Sequence, residues 1–214
     1  MPRKKRSLDR DSGVERDASL IVIASEDRYG PEDYFRRFRT RRVQFKVLPT
    51  IGGSSSPEAV LRRLENYRRE NELMDEDQLW ICIDRDHWTD NRHMAGLRNV
   101  LRRCNQGGYN IAFCNPSFEL WLLLHYEDVD PQSCPSPDAE QIEGRLRRVA
   151  GGYKKHNPGR LTIDGDQVRQ AMERARQMDV DEEFPDSPVA RVYRIIDVLL
   201  ERDSIDIGSS NSPG

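Results

Sequence analysis

QLWICIDRDHW, residues 78–88, carries the most informative strand pattern in the chain. From Leu79 to Ile83 it is apolar without interruption, the pattern of a strand buried on both faces of a sheet. It closes on Asp84-Arg85-Asp86, and carboxylates at i and i+2 share one side of an extended chain. At the carboxyl end of a parallel strand they fall where open α/β sheets place their ligand crevice. Two or three such oxygens suffice for a hard cation such as Mg²⁺ or Mn²⁺, which keeps several waters. D-x-D alone is a weak motif, because acids at strand ends are common.

Working outward, SLIVIAS (19–25) and YNIAFCN (109–115) are similar runs, and VQFKVLP (43–49) alternates as a further strand. Helical patterns separate them. Pro31 opens one that runs through Arg39, with Tyr34, Phe35 and Phe38 on one face. Ser56 is placed to cap a second, with Pro57 in its first position, and the pattern reaches about Leu73. Residues 92–104 are amphipathic and end at Gly107-Gly108, and residues 117–128 make a short apolar helix. This alternation predicts an α/β domain over 19–130: a mainly parallel four-stranded sheet with helices on both faces.

After Asp128 the grammar changes. Residues 131–138 form a turn-rich connector, then helical patterns cover about 138–149, 164–179 and 188–202 with no strand between them. The expectation is a helical C-terminal portion, 131–203, packed on the sheet. Polar segments 1–18 and 204–214 read as disordered tails. The PRKKR run in the first is a solvated terminus or a loose phosphate contact.

Composition limits the function. The 214 residues are 36% hydrophobic and 33% charged, so long solvated helix faces are required. With 34 Lys+Arg against 37 Asp+Glu, the net charge is −3, which excludes a global basic field. Nucleic-acid binding therefore has to come from local patches. No run approaches the ~20 apolar residues of a membrane span, and no export signal is legible, so a cytoplasmic protein is expected. The four cysteines, Cys82, Cys104, Cys114 and Cys134, include no C-x-x-C pair and read as reduced thiols rather than a zinc site.

Beyond the D-x-D pair, Glu26 follows the first strand directly. A parallel sheet would bring it to the rim of Asp84 and Asp86, where three acids repel unless a cation neutralises them. It could instead favour the N-terminal dipole of the helix near Pro31. In NPSFELWLLLHYED (115–128), Ser117 can cap the helix and Glu119 lies in its first turn. His125 reads as a satisfied helix-end histidine, with Trp80 and Trp121 as core. GGYKKHNPGR (151–160) gathers Lys154, Lys155, His156 and Arg160 into a basic loop, a phosphate contact or a solvated linker.

Taken together these segments resemble the RloB-like family, within the wider Toprim superfamily. The matching residues are Glu26 with Tyr34-Phe35, then Asp84-Arg85-Asp86, Asn115-Pro116, Phe118-Glu119-Leu120-Trp121, His125, and Tyr153-Lys154-Lys155. The family's glycine after the glutamate is Asp27 here, and its T-E-P stretch reads Gly30-Pro31-Glu32. The resemblance runs from about residue 19 to 200 and implies a Toprim-like fold and a role in abortive phage infection. It implies a metal-dependent endonuclease acting on RNA, plausibly tRNA, or on DNA. Glu26, Asp84 and Asp86 would hold the metal, Glu119 would be a further ligand or proton acceptor, and Lys154 or Lys155 would steady the phosphate. An ATPase partner encoded nearby and a homodimer are further expectations. The alternative is a non-catalytic module that binds metal or a partner through its acidic rim.

Overall fold

A computed structural model of the chain describes residues 18–50, 56–85, 91–132, 138–158 and 161–207, with the side chains of 91–95 excepted. Asp86, Cys134 and Arg160 therefore lie outside the described residues. The elements are β1 (Ser19–Ser25), α1 (Gly30–Phe35), β2 (Val43–Leu48), α2 (Pro57–Glu70), β3 (Gln78–Asp84), α3 (Asn91–Gly107), β4 (Asn110–Asn115) and α4 (Phe118–Leu123). They continue with α5 (Ala139–Val149), α6 (Gly165–Met178), β5 (Val189–Ala190) and α7 (Tyr193–Arg202). The fold is α/β, with one sheet in the order β2-β1-β3-β4-β5. β1 pairs in parallel with β2 and β3, and β3 in parallel with β4.

The uninterrupted apolar runs divide by parity, since successive side chains of a strand point to opposite faces. Ile21, Ile23, Trp80, Cys82, Ala112 and Cys114 face one core, which they share with α1, α4, α5, α6 and α7. Leu20, Val22, Ala24, Leu79, Ile81, Ile83 and Phe113 face the other, covered by α2 and α3. This is why β1, β3 and β4 show no polar alternation over their apolar runs: both faces are sealed. The C-terminal helices supply Ile142, Leu146, Val168, Met172, Ile195 and Leu199 to the first core, so they complete a layer of the sheet domain.

The expected count of four strands is corrected to five. β5 lies within the stretch read as the closing helix, and pairs antiparallel with β4 through Cys114↔Ala190 and Asn115↔Val189. Two residues carry no periodicity, and flanking Pro185 and Pro188 hide the extended segment from a pattern reading. Helix α7 accordingly starts at Tyr193 rather than near 188. Arg191 locks this return: its guanidinium donates to Asp179 (2.9 Å) and to the carbonyls of Val180, Glu182 and Glu183. Residues 204–207, assigned above to a tail, hold Ile205 and Ile207 against the core, with Ile207 bridged to Phe38. Ser56 caps α2 as expected, accepting from the Ala59 amide at 3.3 Å. Cys82, Cys104 and Cys114 are free and buried. No helix among the described residues is long and apolar enough to cross a membrane.

His125 is a buried structural histidine, as its helix-end position suggested. Its Nδ1 lies 2.9 Å from the Trp121 carbonyl and its Nε2 3.1 Å from the Tyr34 hydroxyl. Nδ1–H donating and Nε2 accepting satisfies the neutral ring. Burial pushes its pKa down to about 3. Because the folded pKa lies below the unfolded value of ~6.5, the unfolded chain binds the proton first. The stabilising contribution is complete above pH 6.5 and is lost as pH falls toward 3. Between pH 7 and 5 this single site should remove roughly 2 kcal/mol. Urea midpoints at the two pH values measure it: His125→Phe should show a smaller acid loss than wild type, and equal losses would refute the assignment.

Candidate functional site

Parallel pairing puts the two acidic strand ends side by side. Ser25 of β1 is in register with Cys82 of β3, and the Glu26 amide donates to the Cys82 carbonyl at 3.3 Å. Glu26 and Asp84 thus close adjacent strands at the same carboxyl rim, and both are buried. Asp84 is in turn the register partner of Cys114 on β4, which leads into Asn115, a cis Asn115-Pro116 bond and α4. The Asn115 amide donates to the carbonyls of Pro185, Asp186 and Ser187, pinning the return segment beside the rim. The Arg85 guanidinium donates to the Pro185 carbonyl (2.7 Å) and to the Asp186 carboxylate. The following acid of the motif, Asp86, lies outside the described residues.

Glu119, only 2% exposed, is held from three directions. Its Oε2 accepts from the Ser117 hydroxyl at 2.7 Å, and its Oε1 from the Tyr153 hydroxyl and the Lys155 ammonium, each at 3.2 Å. Ser117 was expected to cap α4, but its hydroxyl goes to this buried carboxylate and makes no capping bond. A charged oxygen inside the protein is the stronger acceptor and has more to lose unpaired. Burial alone would depress the Lys155 pKa; Glu119, Asp27 and Asp84 outweigh it and hold the ammonium above the ordinary lysine value. Lys155 therefore stands in the combined field of three carboxylates as a cation. Lys154 is exposed, so of the two adjacent lysines it is Lys155 that enters the site. His156 is exposed, with its ring edge-on to Tyr29 at 5.8 Å. Arg160 lies outside the described residues.

Two residues outside the expected set belong to this rim. Asp27 accepts from the Tyr29 amide at 2.9 Å and the Gly30 amide at 3.2 Å, bracing the start of α1. Burial, then the Glu119 charge, raises its pKa. Gly30 is needed here, since a Cβ would lie 2.6 Å from the Asp27 carboxylate and 2.9 Å from the Phe118 ring. Arg63 reaches back from α2 to the Ser25 carbonyl at 2.5 Å and to Leu48 and Thr50. Burial lowers its pKa, and the neighbouring Glu26 charge works against that lowering. Nothing in the sequence marks Arg63 among the other arginines of α2.

Cys114, beside Asp84, is no nucleophile. A hydrogen bond with Cys82, then burial, pushes its thiol well above the usual range, whereas reactive thiols need a depressed value. No three His, Cys, Asp or Glu among the described residues are gathered closely enough to form a metal site by themselves. The trio read from sequence includes Asp86, so the described residues supply two of its members, Glu26 and Asp84.

A family model described as RloB-like protein matches residues 21–199. No curated protein and no solved structure matches the chain.

Proposed function

We propose, since the chain belongs to the RloB-like family, that it is a divalent-cation-dependent endonuclease of the Toprim kind, serving in abortive phage defence. The observation that carries this reading is the placement of Glu26 and Asp84 on adjacent parallel strands at one rim, with Lys155 in the field of the acids around it. The donors fit the cation: they are carboxylate oxygens, which Mg²⁺ and Mn²⁺ prefer over nitrogen or sulfur. Glu26, Asp84 and Asp86 would hold it, and when bound it supplies Lewis-acid polarisation of a phosphodiester.

The chain's own groups then divide the remaining work. Lys155, kept protonated, pairs with a non-bridging phosphate oxygen and offsets charge developing there. Glu119 holds that ammonium in place, and Tyr153 and Ser117 hold Glu119. Asp27 keeps the turn into α1 closed against Phe118, so that the backbone carrying Glu26 cannot drift. Arg63 anchors the other side of the same turn through the Ser25 carbonyl. Exposed Lys154 extends the positive lip beyond the rim, and it and the exposed His156 meet the phosphates flanking the cut.

A second reading, a non-catalytic module that binds metal or a partner, draws on Asp27. Its carboxylate is committed to the amides of α1, so the acid replacing the family's glycine is not an added ligand. Incubation of purified protein with total RNA, tRNA and plasmid, with Mg²⁺ or with EDTA, separates the two. Cleavage of one substrate in Mg²⁺ and none in EDTA is expected. Intact nucleic acid throughout, together with harmless induction of the protein in cells, would leave the binding module.

A further inference from the structure

The greatest local surplus of charge lies away from the acidic rim. Between Arg36 and Lys46, RRFRTRRVQFK, six of eleven residues are Arg or Lys and none is acidic, in a chain whose net charge is −3. This segment leaves α1 and enters β2, and β2 is the edge strand of the sheet. Along that edge runs a cleft of about 480 Å³ whose walls include Arg36, Arg39, Lys46, Thr40, Gln44 and Phe45.

The cations differ in their duties. Arg37 is structural, donating to the carbonyls of Asp33, Pro158 and Leu161. Arg36 pairs with Glu32 at 2.5 Å. Arg39, Arg41 and Arg42 are exposed. The acids facing them come from the C-terminal segment: Asp203 accepts from the Arg41 and Arg42 amides, and the Asp206 carbonyl from the Arg39 amide. These bonds hold the backbone of the arginine run while its guanidinium groups extend to solvent. Phe45, packed on Phe35 at 4.9 Å, supplies an aromatic surface to the cleft.

We propose that this edge is a second nucleic-acid site, which holds single-stranded RNA or DNA at a distance from the acidic rim. It rests on the reading of the chain as an enzyme of nucleic acid, and adds the strand form it takes and where it is held. A cationic groove that tracks a backbone, with an aromatic face for a base, binds single strands without sequence preference. A duplex offers that face no unstacked base. Val43 is in register with Ser19 and Leu48 with Ala24, so the arginines sit at the start of β2 and the acids beyond the far end of β1. Six strand residues span about 20 Å, the length of several nucleotides of a single strand. One strand laid along the edge therefore reaches the rim while its other part stays on the arginines.

The test is direct binding of labelled oligouridylate, oligothymidylate and a matched duplex in EDTA, where catalysis plays no part. Arg39→Ala/Arg41→Ala/Arg42→Ala should weaken single-strand binding by about 10–100-fold near physiological salt. It should also reduce the slope of log affinity against log salt by about 2, at ~0.7 per phosphate contact. The matching lysine triple should recover most of the loss. Should the alanine triple not fold, Arg39→Ala and Arg41→Ala alone should each lower the slope by about 0.7. Unchanged affinity and slope in the folded alanine triple would overturn the proposal, as would a duplex held as tightly as the single strand. Equal displacement by polyglutamate, the mark of an acidic protein segment as the true occupant, would overturn it too. Intact single-strand binding at this edge beside unchanged cleavage by Asp84→Asn would sink the metal-site reading and leave this surface standing.

Discussion

Asp84→Asn should abolish nucleic-acid cleavage, by more than the roughly 10–100-fold that loss of a ligand's outer-shell partner costs. The substitution keeps the shape of the side chain and removes its charge at the end of β3, where Glu26 is the neighbour on β1. The same variant should lose its thermal response to the cation. An ion bound by the folded chain alone stabilises it by mass action, about 2.7 kcal/mol at ~100 times the dissociation constant. For a chain of this size that is a melting shift of roughly 5–10 °C in wild type, and none in Asp84→Asn. The metal-free variant should melt no lower than the metal-free wild type, because one of the crowded acids has gone. A structural Asp84 gives the opposite sign, since removing one partner of a buried pair destabilises. Arg85, the nearest cation in sequence, is engaged with Pro185 and Asp186, while Lys155 stands in the field of Asp84. Thermal melts of both proteins with and without Mg²⁺ decide between these accounts. A wild type indifferent to Mg²⁺ beside a destabilised variant would end the metal-site reading.

Trp121→Ala should cost about 3–5 kcal/mol, lowering the melting temperature by roughly 10 °C. Trp121 is fully buried in α4, edge-on to Tyr34 (5.9 Å) and His125 (4.9 Å). Truncation opens a cavity against the rings that carry the Tyr34–His125 hydrogen bond. Trp121→Phe should cost much less. It retains most of the apolar volume and removes a buried indole N–H that makes no close hydrogen bond among the described residues. Urea unfolding of the three proteins measures both changes. Equal costs for Ala and Phe would show that ring volume is not what Trp121 contributes.

The local sequence determined those parts of the molecule that repeat with the period of a strand or a helix. Continuous apolar runs at 19–25, 78–84 and 109–115 identified strands buried on both faces, and Ser56-Pro57 identified the start of α2. Parallel strands then required that acids directly following two of them meet at one rim, so the neighbourhood of Glu26 and Asp84 was legible without coordinates. The excess of six cations over acids in 36–46 was written there as well, but not that β2 would be the sheet edge. That needs the strand order, and strand order comes from pairing between residues far apart in the chain. β5 escaped for a similar reason: two residues have no period, and they are extended only because β4 offers an open edge and Arg191 ties the return loop. The choice of Lys155 over Lys154, of Asp27 as a brace for α1 and of Arg63 as an anchor beside Glu26 was likewise tertiary. Periodicity tells which side of a helix or strand a residue occupies. Inside a loop, the side chain that reaches a buried carboxylate is set by the direction in which the folded backbone points it.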